Sequence, residues 1–466
     1  MIVRLLMLST VLSTVALSST AQQTQVHVLK NASGSRLVVD GEDFMIKGMN
    51  WDYFPIGTNY TYNLWDQSDA FIISALEREM TMLREIGVNA LRIYIGIPKR
   101  WIAYIYKEYG IYTMLNHPFG RYGVSLDGMW FAHTDYADPA IRELLLQEVD
   151  ELVAEYKDTP GLLLYLLGNE NNYGLFYESP EGENESENRQ QSILDNRAMY
   201  KLFLLSKDSD EAQLESREGN LSIDEQAEAR ALSMYRLFDL AAKQIKGNDP
   251  AHPVAMCNGD LMFMEIIKEE CGSVDIFGTN VYRGVSFGDT FERVQQELNK
   301  PILFTEVGAD AFNAITQTED QEAQAYYTLG NWKEIYANAA GIGGTQNAIG
   351  GFTFQFSDGW WKHDQYENLD VHDQTATWNS AGYYRDDRGG QNNMNEEWFG
   401  VCAKVQDDEP YRYQLQPRAS YFILREVHGF SPYHPNATLV DLEEYFKDIS
   451  LDQATKEATE RADIMR

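Results

Sequence analysis

The sequence predicts an α/β chain closed as a (β/α)8 TIM barrel, and three observations carry that expectation. Short apolar runs alternate with longer segments of helical periodicity, eight of each, between the first turn signals and about residue 430. Several runs, GLLLYLLGNE (161–170) above all, are apolar throughout, as strands covered on both faces must be. Polar residues then gather at the ends of these runs, the rim where such a barrel carries chemistry. A doubly wound open sheet is the competing architecture, but its glycine-rich phosphate turn is missing after the first strand.

The elements follow in order. Residues 1–21, MIVRLLMLSTVLSTVALSSTA, place one Arg before a short apolar stretch and end on Ser19-Thr20-Ala21, the pattern of a cleaved export signal. Two alternating runs around Asp40-Gly41 read as a β-hairpin, and FMIKGMN as the first barrel strand. The helix SDAFIISALEREMTMLREIG leads to VNALRIYIG, WIAYIYKEYG to IYTMLNHPF, and DPAIRELLLQEVDELVAEYKD to GLLLYLLGNE. The helix DEQAEARALSMYRLFDLAAKQIKG precedes PVAMCNGD, LMFMEIIKEECG precedes VDIFGTNVY, and TFERVQQELN precedes PILFTEVGA. QEAQAYYTLGNWKEIYANAAG leads to AIGGFTFQF, and SYFILREVHGF closes the series. The organisation expected is a signal at 1–21, a barrel domain at 22–440 and an acidic helical tail at 441–466. Two long insertions interrupt it. Residues 178–227, after the fourth strand, are rich in Glu, Ser and Asn and read as a solvated excursion. Residues 357–417, after the eighth, carry Trp360, Trp361, Trp378, Tyr383, Tyr384 and Trp398 and read as an aromatic wall for sugar rings.

Composition narrows the partner. A formal net charge of −33 repels nucleic acid, anionic lipid and polyanions, and suits a neutral ligand. After the leader no apolar run approaches the roughly 20 residues of a spanning helix, so no membrane partner is expected once the signal is removed. The three cysteines, Cys257, Cys271 and Cys402, allow one bridge at most, and spacing does not select the pair. His363, Asp364, His372 and Asp373 lack helical ligand spacing in a loop acidic throughout, so no metal is expected there. Asn31, Asn59, Asn184, Asn220 and Asn436 lie in N-x-S/T triplets.

The strand ends collect Asn50-Trp51-Asp52, Arg92, His117, Asn169-Glu170, Asp260, Asn280, Tyr282, Glu306 and Trp360. Two glutamates stand out, because Glu170 and Glu306 end the fourth and seventh strands and face each other across a barrel mouth. Two facing carboxylates are what glycoside hydrolysis requires, one protonating the leaving oxygen while the other attacks or activates water. That chemistry needs neither a metal nor a cofactor.

The set Arg92, Asn169-Glu170, Tyr282, Glu306 and Trp360 resembles the retaining glycosidases of glycoside hydrolase clan A. FMIKGMNWDYFP is similar to family 2 catalytic barrels. NALRIYI, GNEN, DIFGTNVYRG and PILFTEVGAD are similar to family 72 β-1,3-glucanosyltransferases. The resemblance spans about residues 36 to 430. It implies Glu170 as general acid/base, Glu306 as nucleophile attended by Arg92 and Tyr282, Asn169 on the neighbouring sugar hydroxyl and Trp360 beneath the ring. Trp51, Asp52, His117 and Asn280 complete the expected substrate-binding set. The function expected is a secreted retaining β-glycosidase or transglycosylase acting on a neutral β-glucan. An exo-acting β-galactosidase- or β-mannosidase-like enzyme and a non-catalytic carbohydrate-binding protein on the same fold are the alternatives.

Overall fold

A computed structural model describes residues 23–94, 96–177, 199–201, 203–204, 222–377 and 393–465. The chain enters through three antiparallel strands, Val26–Asn31, Gly34–Val39 and Glu42–Phe44. Asp40 and Gly41 join the last two with φ of 49° and 90°, the left-handed pair that a tight primed turn demands. Eight strands follow: β1 (Ile46–Asn50), β2 (Ala90–Ile93), β3 (Tyr112–His117), β4 (Leu162–Leu167), β5 (Val254–Gly259), β6 (Ile276–Asn280), β7 (Ile302–Val307) and β8 (Ala348–Thr353). They pair in parallel, in sequence order, and close with β8 against β1. The (β/α)8 expectation holds.

The strand-to-strand crossings are α1 (Asp69–Glu85), α2 (Lys99–Tyr109), α3 (Pro139–Tyr156), α4 (Ile223–Asn248), α5 (Met264–Glu270), α6 (Thr290–Arg293) and α7 (Gln321–Ala337), with α8 (Ala419–Val427) after β8. Their starts were legible: Ser68 accepts from the Phe71 N–H, Asp138 caps α3 ahead of Pro139, and Ser222 and Glu225 form a capping box. TFERVQQELN is the exception, keeping one α turn before a π turn at Val294–Leu298. The insertion expected over 178–227 falls mostly outside the described residues, and its last part already belongs to α4.

All eight strands contribute to one apolar cluster, among them Ile46, Ala90, Met114, Leu164, Ala255, Ile276, Leu303, Ile349 and Phe352. Val26, Leu37 and Val39 of the entering sheet join it, so the hairpin plugs the barrel at the strands' N-terminal ends. Gly48 is part of this packing, since a Cβ there would lie 2.3 Å from the Phe352 ring. The opposite end is left open for polar groups.

The long segment after β8 is pinned at both ends by one buried ion pair. Arg418, at the start of α8, donates to both Asp358 oxygens at 2.6 and 2.8 Å, to the Gly400 carbonyl at 2.6 Å and to Glu319 at 2.5 Å. Between the pins a small two-stranded sheet forms, Cys402–Gln406 with Tyr413–Pro417. Trp378, Tyr383 and Tyr384 lie outside the described residues. The tail expected at 441–466 is helical, as α9 (Leu439–Lys447) and α10 (Leu451–Met465), and packs Leu442, Phe446, Ala454 and Ala458 into the main core.

Removing one partner of a buried pair strands the other charge. Arg418→Met should therefore cost about 3–5 kcal/mol in denaturant unfolding, and adding Asp358→Asn should recover part of it. An unchanged unfolding midpoint in Arg418→Met would show that the pair pins nothing.

Candidate active site

Side chains alternate along a strand, so the inward positions at the end of β2 are Arg92 and, two residues on, Tyr94. Arg92 is fully buried. Its Nη1 donates to Glu306 Oε1 at 2.9 Å and to the Thr305 carbonyl at 3.2 Å. Nη2 donates to Asn169 Oδ1 at 2.8 Å, and Nε and Nη2 reach Asn116 Oδ1 at 3.1 and 3.0 Å. One guanidinium thus ties together the ends of β2, β3, β4 and β7.

Glu306 receives two further donors. Tyr94 donates to Oε1 at 2.5 Å and Tyr282 to Oε2 at 2.8 Å. A carboxylate only accepts, so three converging donors complement its charged form. Burial pushes both phenols well above their ordinary pKa, with the Glu306 charge adding to the effect, so they remain donors.

Glu170 stands just beyond β4 in a left-handed conformation, φ 57° and ψ 36°, at the head of the short 3-10 turn Asn171–Leu175. The backbone is secured there by the Glu170 N–H, which donates to the Cys257 carbonyl at 2.9 Å. Its side chain accepts from Asn280 Nδ2 at 3.0 Å. Burial, and after it the neighbouring Glu306 charge, raises the Glu170 pKa to about 7 against the opposing pull of Asn280, Arg121 and Arg92. Two identical acids therefore sit in one cleft in unlike surroundings, one protonated near neutrality and the other encircled by donors.

The cleft encloses about 340 Å³ and is lined by Glu170, Tyr173, Asp260, Asn280, Tyr282, Glu306 and Glu396. The carboxylates in its walls have cations of their own. Asp260 takes both Nε and Nη2 of Arg283, at 3.0 and 2.5 Å, and Glu396 takes Lys362 at 3.0 Å.

Arg92, Asn169, Asn280 and Tyr282 thus join Glu170 and Glu306 as expected from the strand ends. Four other residues go elsewhere. Trp51 is only 2% exposed and belongs to the core, its indole donating to Glu79 at 2.8 Å. Asp52 follows it in a neighbouring pocket with Trp51, Tyr53 and Phe54, its carboxyl raised by burial with Lys404 and Lys362 opposing. His117 faces the helices, because Asn116 takes the inward position. His117 Nδ1 accepts from the Phe119 N–H at 3.1 Å, and Nε2 lies 3.5 Å from Glu148 of α3. Trp360 lies well past the end of β8 and stacks on His372 at 4.6 Å, which stacks in turn on Trp398 at 3.7 Å. The three rings form one stack. The three thiols are buried and unbridged.

Tyr94 and Asn116 were missed. Tyr94 shares the strand parity of Arg92, which the sequence already placed at the rim, whereas Asn116 shares that of Met114, whose inward place on β3 the structure shows.

No family model matches the chain, and no curated protein matches it. Solved structures match it in fold. A GH2 β-galacturonidase from Eisenbergiella tayi bound to glycerol superposes with a TM-score of 0.50 and 14% identity, over 89% of this chain and 55% of that one. A β-D-glucuronidase from Dictyoglomus thermophilum gives 0.48 and 14%, over 88% and 54%. A Bifidobacterium dentium β-glucuronidase complexed with coumarin-3-O-glucuronide gives 0.47 and 17%, over 88% and 50%. The chain spans about half the length of these proteins, and its likeness to the first is one of fold.

Glu170 generates a pH prediction. A carboxyl whose folded pKa is raised contributes stability below its unfolded value, and that contribution fades as pH rises through about 7. Glu170→Gln should therefore gain on the wild type between pH 5 and pH 8, by roughly 2–3 kcal/mol. Parallel unfolding curves of the two proteins across that window would contradict the raised pKa.

Proposed function

We propose that this chain is a retaining β-glycoside hydrolase or transglycosylase acting by double displacement on a neutral β-linked glucan or oligosaccharide. The observation that carries the reading is the pair of carboxyls at the ends of β4 and β7, one held protonated near pH 7 and one met by three donors. In this mechanism Glu170 gives its proton to the glycosidic oxygen as the bond to the anomeric carbon breaks. Glu306 Oε2 or Oε1 attacks that carbon from the other face, forming a glycosyl ester. The leaving sugar departs with the proton. Glu170, now ionised, takes a proton from water or a sugar hydroxyl, whose oxygen displaces Glu306 and restores the original configuration. Asn169, fixed by Arg92, is set to hold the hydroxyl beside the reacting carbon, a contact that strengthens as charge develops.

Two features support a neutral sugar over an anionic one. Lys362, Arg283 and Arg92 are each already paired with a carboxylate of the cleft, and the chain carries a net charge of −33. The leader-like residues 1–21 support action outside the cell.

The test uses aryl β-glycosides of glucose, galactose, mannose, glucuronic acid and galacturonic acid, with the neutral sugars expected to be turned over. On the best of them, Glu170→Ala should still form the glycosyl ester when the leaving group needs no proton. Added azide should then restore turnover and yield a β-glycosyl azide. Glu306→Ala with azide should yield the α-azide, because attack comes directly from the opposite face. The reverse pattern would exchange the roles, and near-normal activity in both variants would end the proposal.

A further inference from the structure

An acid/base has to give up a proton and take one back, and at Glu170 the ionised form is met by Asn280 Nδ2 at 3.0 Å. This inference rests on the reading of Glu170 as the acid/base. A carboxamide serves a carboxylate only when its nitrogen faces it, because its oxygen has nothing to donate. What turns Asn280 the right way lies behind it. Its Oδ1 accepts from the Thr305 hydroxyl at 2.7 Å and faces the Cys257 thiol at 3.3 Å and Arg92 Nη1 at 3.5 Å. Its Nδ2 faces Asn169 Oδ1 at 3.3 Å as well as Glu170. These neighbours of the oxygen can all donate, and those of the nitrogen accept.

Thr305 reaches this place because the sheet is irregular there. β6 and β7 pair Thr279 with Phe304 and then Asn280 with Glu306, so the register steps over Thr305. An extra residue of this kind re-aims side chains. It lets two successive residues serve one site, Glu306 toward Arg92 and Thr305 toward Asn280. The hydroxyl has one proton, and the amide oxygen at 2.7 Å takes it in preference to the Cys257 sulfur at 3.3 Å, a weak acceptor. Burial pushes the thiol pKa up to about 11, so the sulfur stays neutral. Thr305 has no exposed surface and Asn280 only 2%, so water does not replace these bonds.

We propose that Thr305 is a positioning residue: its hydroxyl locks the Asn280 carboxamide with the nitrogen toward Glu170, which gives the ionised acid a donor between the two halves of the reaction. Without the lock the amide can turn its oxygen to Glu170, a contact that only the protonated acid satisfies. The other charged or titratable groups that bear on Glu170 are Glu306 on β7, Arg92 on β2, Arg121 after β3, Cys257 on β5, Tyr282 after β6 and Tyr173 on its own turn. Asp260 and Glu396, which line the same cleft, are paired with Arg283 and Lys362. Thr305→Val keeps all of these groups, so a change in the ionisation of Glu170 reports the amide.

The experiment follows Glu170 in Thr305→Val, which keeps the shape and loses the hydroxyl, and in Thr305→Ser, which keeps the hydroxyl. One reading is the basic limb of kcat/KM on the nitrophenyl β-glycoside of the preferred neutral sugar, which reports the acid of the free enzyme. The other is the NMR titration of the Glu170 carboxyl carbon, identified by its absence from Glu170→Gln. Both lie near pH 7 in the wild type. In Thr305→Val both should move up by about one pH unit, because the ionised form loses its donor. Thr305→Ser should titrate like the wild type. Both readings unmoved or moved down in Thr305→Val, whatever the loss of activity, would make Thr305 merely structural and overturn the proposal. An equal upward shift in Thr305→Ser would overturn it too, since the hydroxyl is still there. A wild type that turns over no aryl glycoside overturns the glycosidase reading alone, and the carboxyl titration then still decides on Thr305.

Discussion

The site depends on a single buried charge. Arg92 sits inside the barrel mouth with no exposed surface, and an unpaired guanidinium there would be prohibitive. Its partners come from elsewhere in the chain: Asn116 on β3, Asn169 after β4, and Thr305 and Glu306 on β7. Satisfying the one charge therefore sets the relative positions of four strand ends. Glu306 is oriented and Asn169 is aimed by the same group. The geometry is pre-formed, so a molecule bound there would find these groups already in place.

The second consequence is electrical. Glu170 and Glu306 share one cleft, and the arrangement separates them by surroundings. Glu306 takes the Arg92 cation and two phenols, whereas Glu170, among the described residues, accepts from Asn280 and has the Glu306 charge for a neighbour. Burial, with that charge beside it, raises the Glu170 pKa to about 7. That division is what an acid/base and a nucleophile require of two identical side chains.

The third is architectural. The barrel's N-terminal end is closed by the entering hairpin, and its rim carries excursions of two kinds. In the segment after β8, Trp360, His372 and Trp398 stack on one another while Tyr366 and Tyr411 stay exposed; the segment is pinned by Arg418 to Asp358 and brings Glu396, with its partner Lys362, to the cleft. The excursion after β3 leaves Tyr122 and Trp130 open to water. Aromatic content alone does not separate a binding wall from a packed loop.

Strand periodicity determined most of the framework. Apolar runs such as LLLYLL need two covered faces, alternation with helices forces parallel pairing, and capping residues such as Ser68 and Asp138 mark where helices begin. The same logic exposed Arg92, Asn169, Glu170, Asn280, Tyr282 and Glu306, because polar residues ending apolar strands have only the rim to occupy. Strand parity carried the position of Tyr94 as well, whereas the inward place of Asn116 came only with the structure. Position beyond the strands was another matter. Trp51 turned into the core to reach Glu79, and Trp360 joined a stack with rings that lie far along the chain. A local sequence determines the alternation of a strand, since sterics act between neighbours. Where a loop side chain comes to rest is decided by partners distant in sequence, and only the closed tertiary structure brings those together.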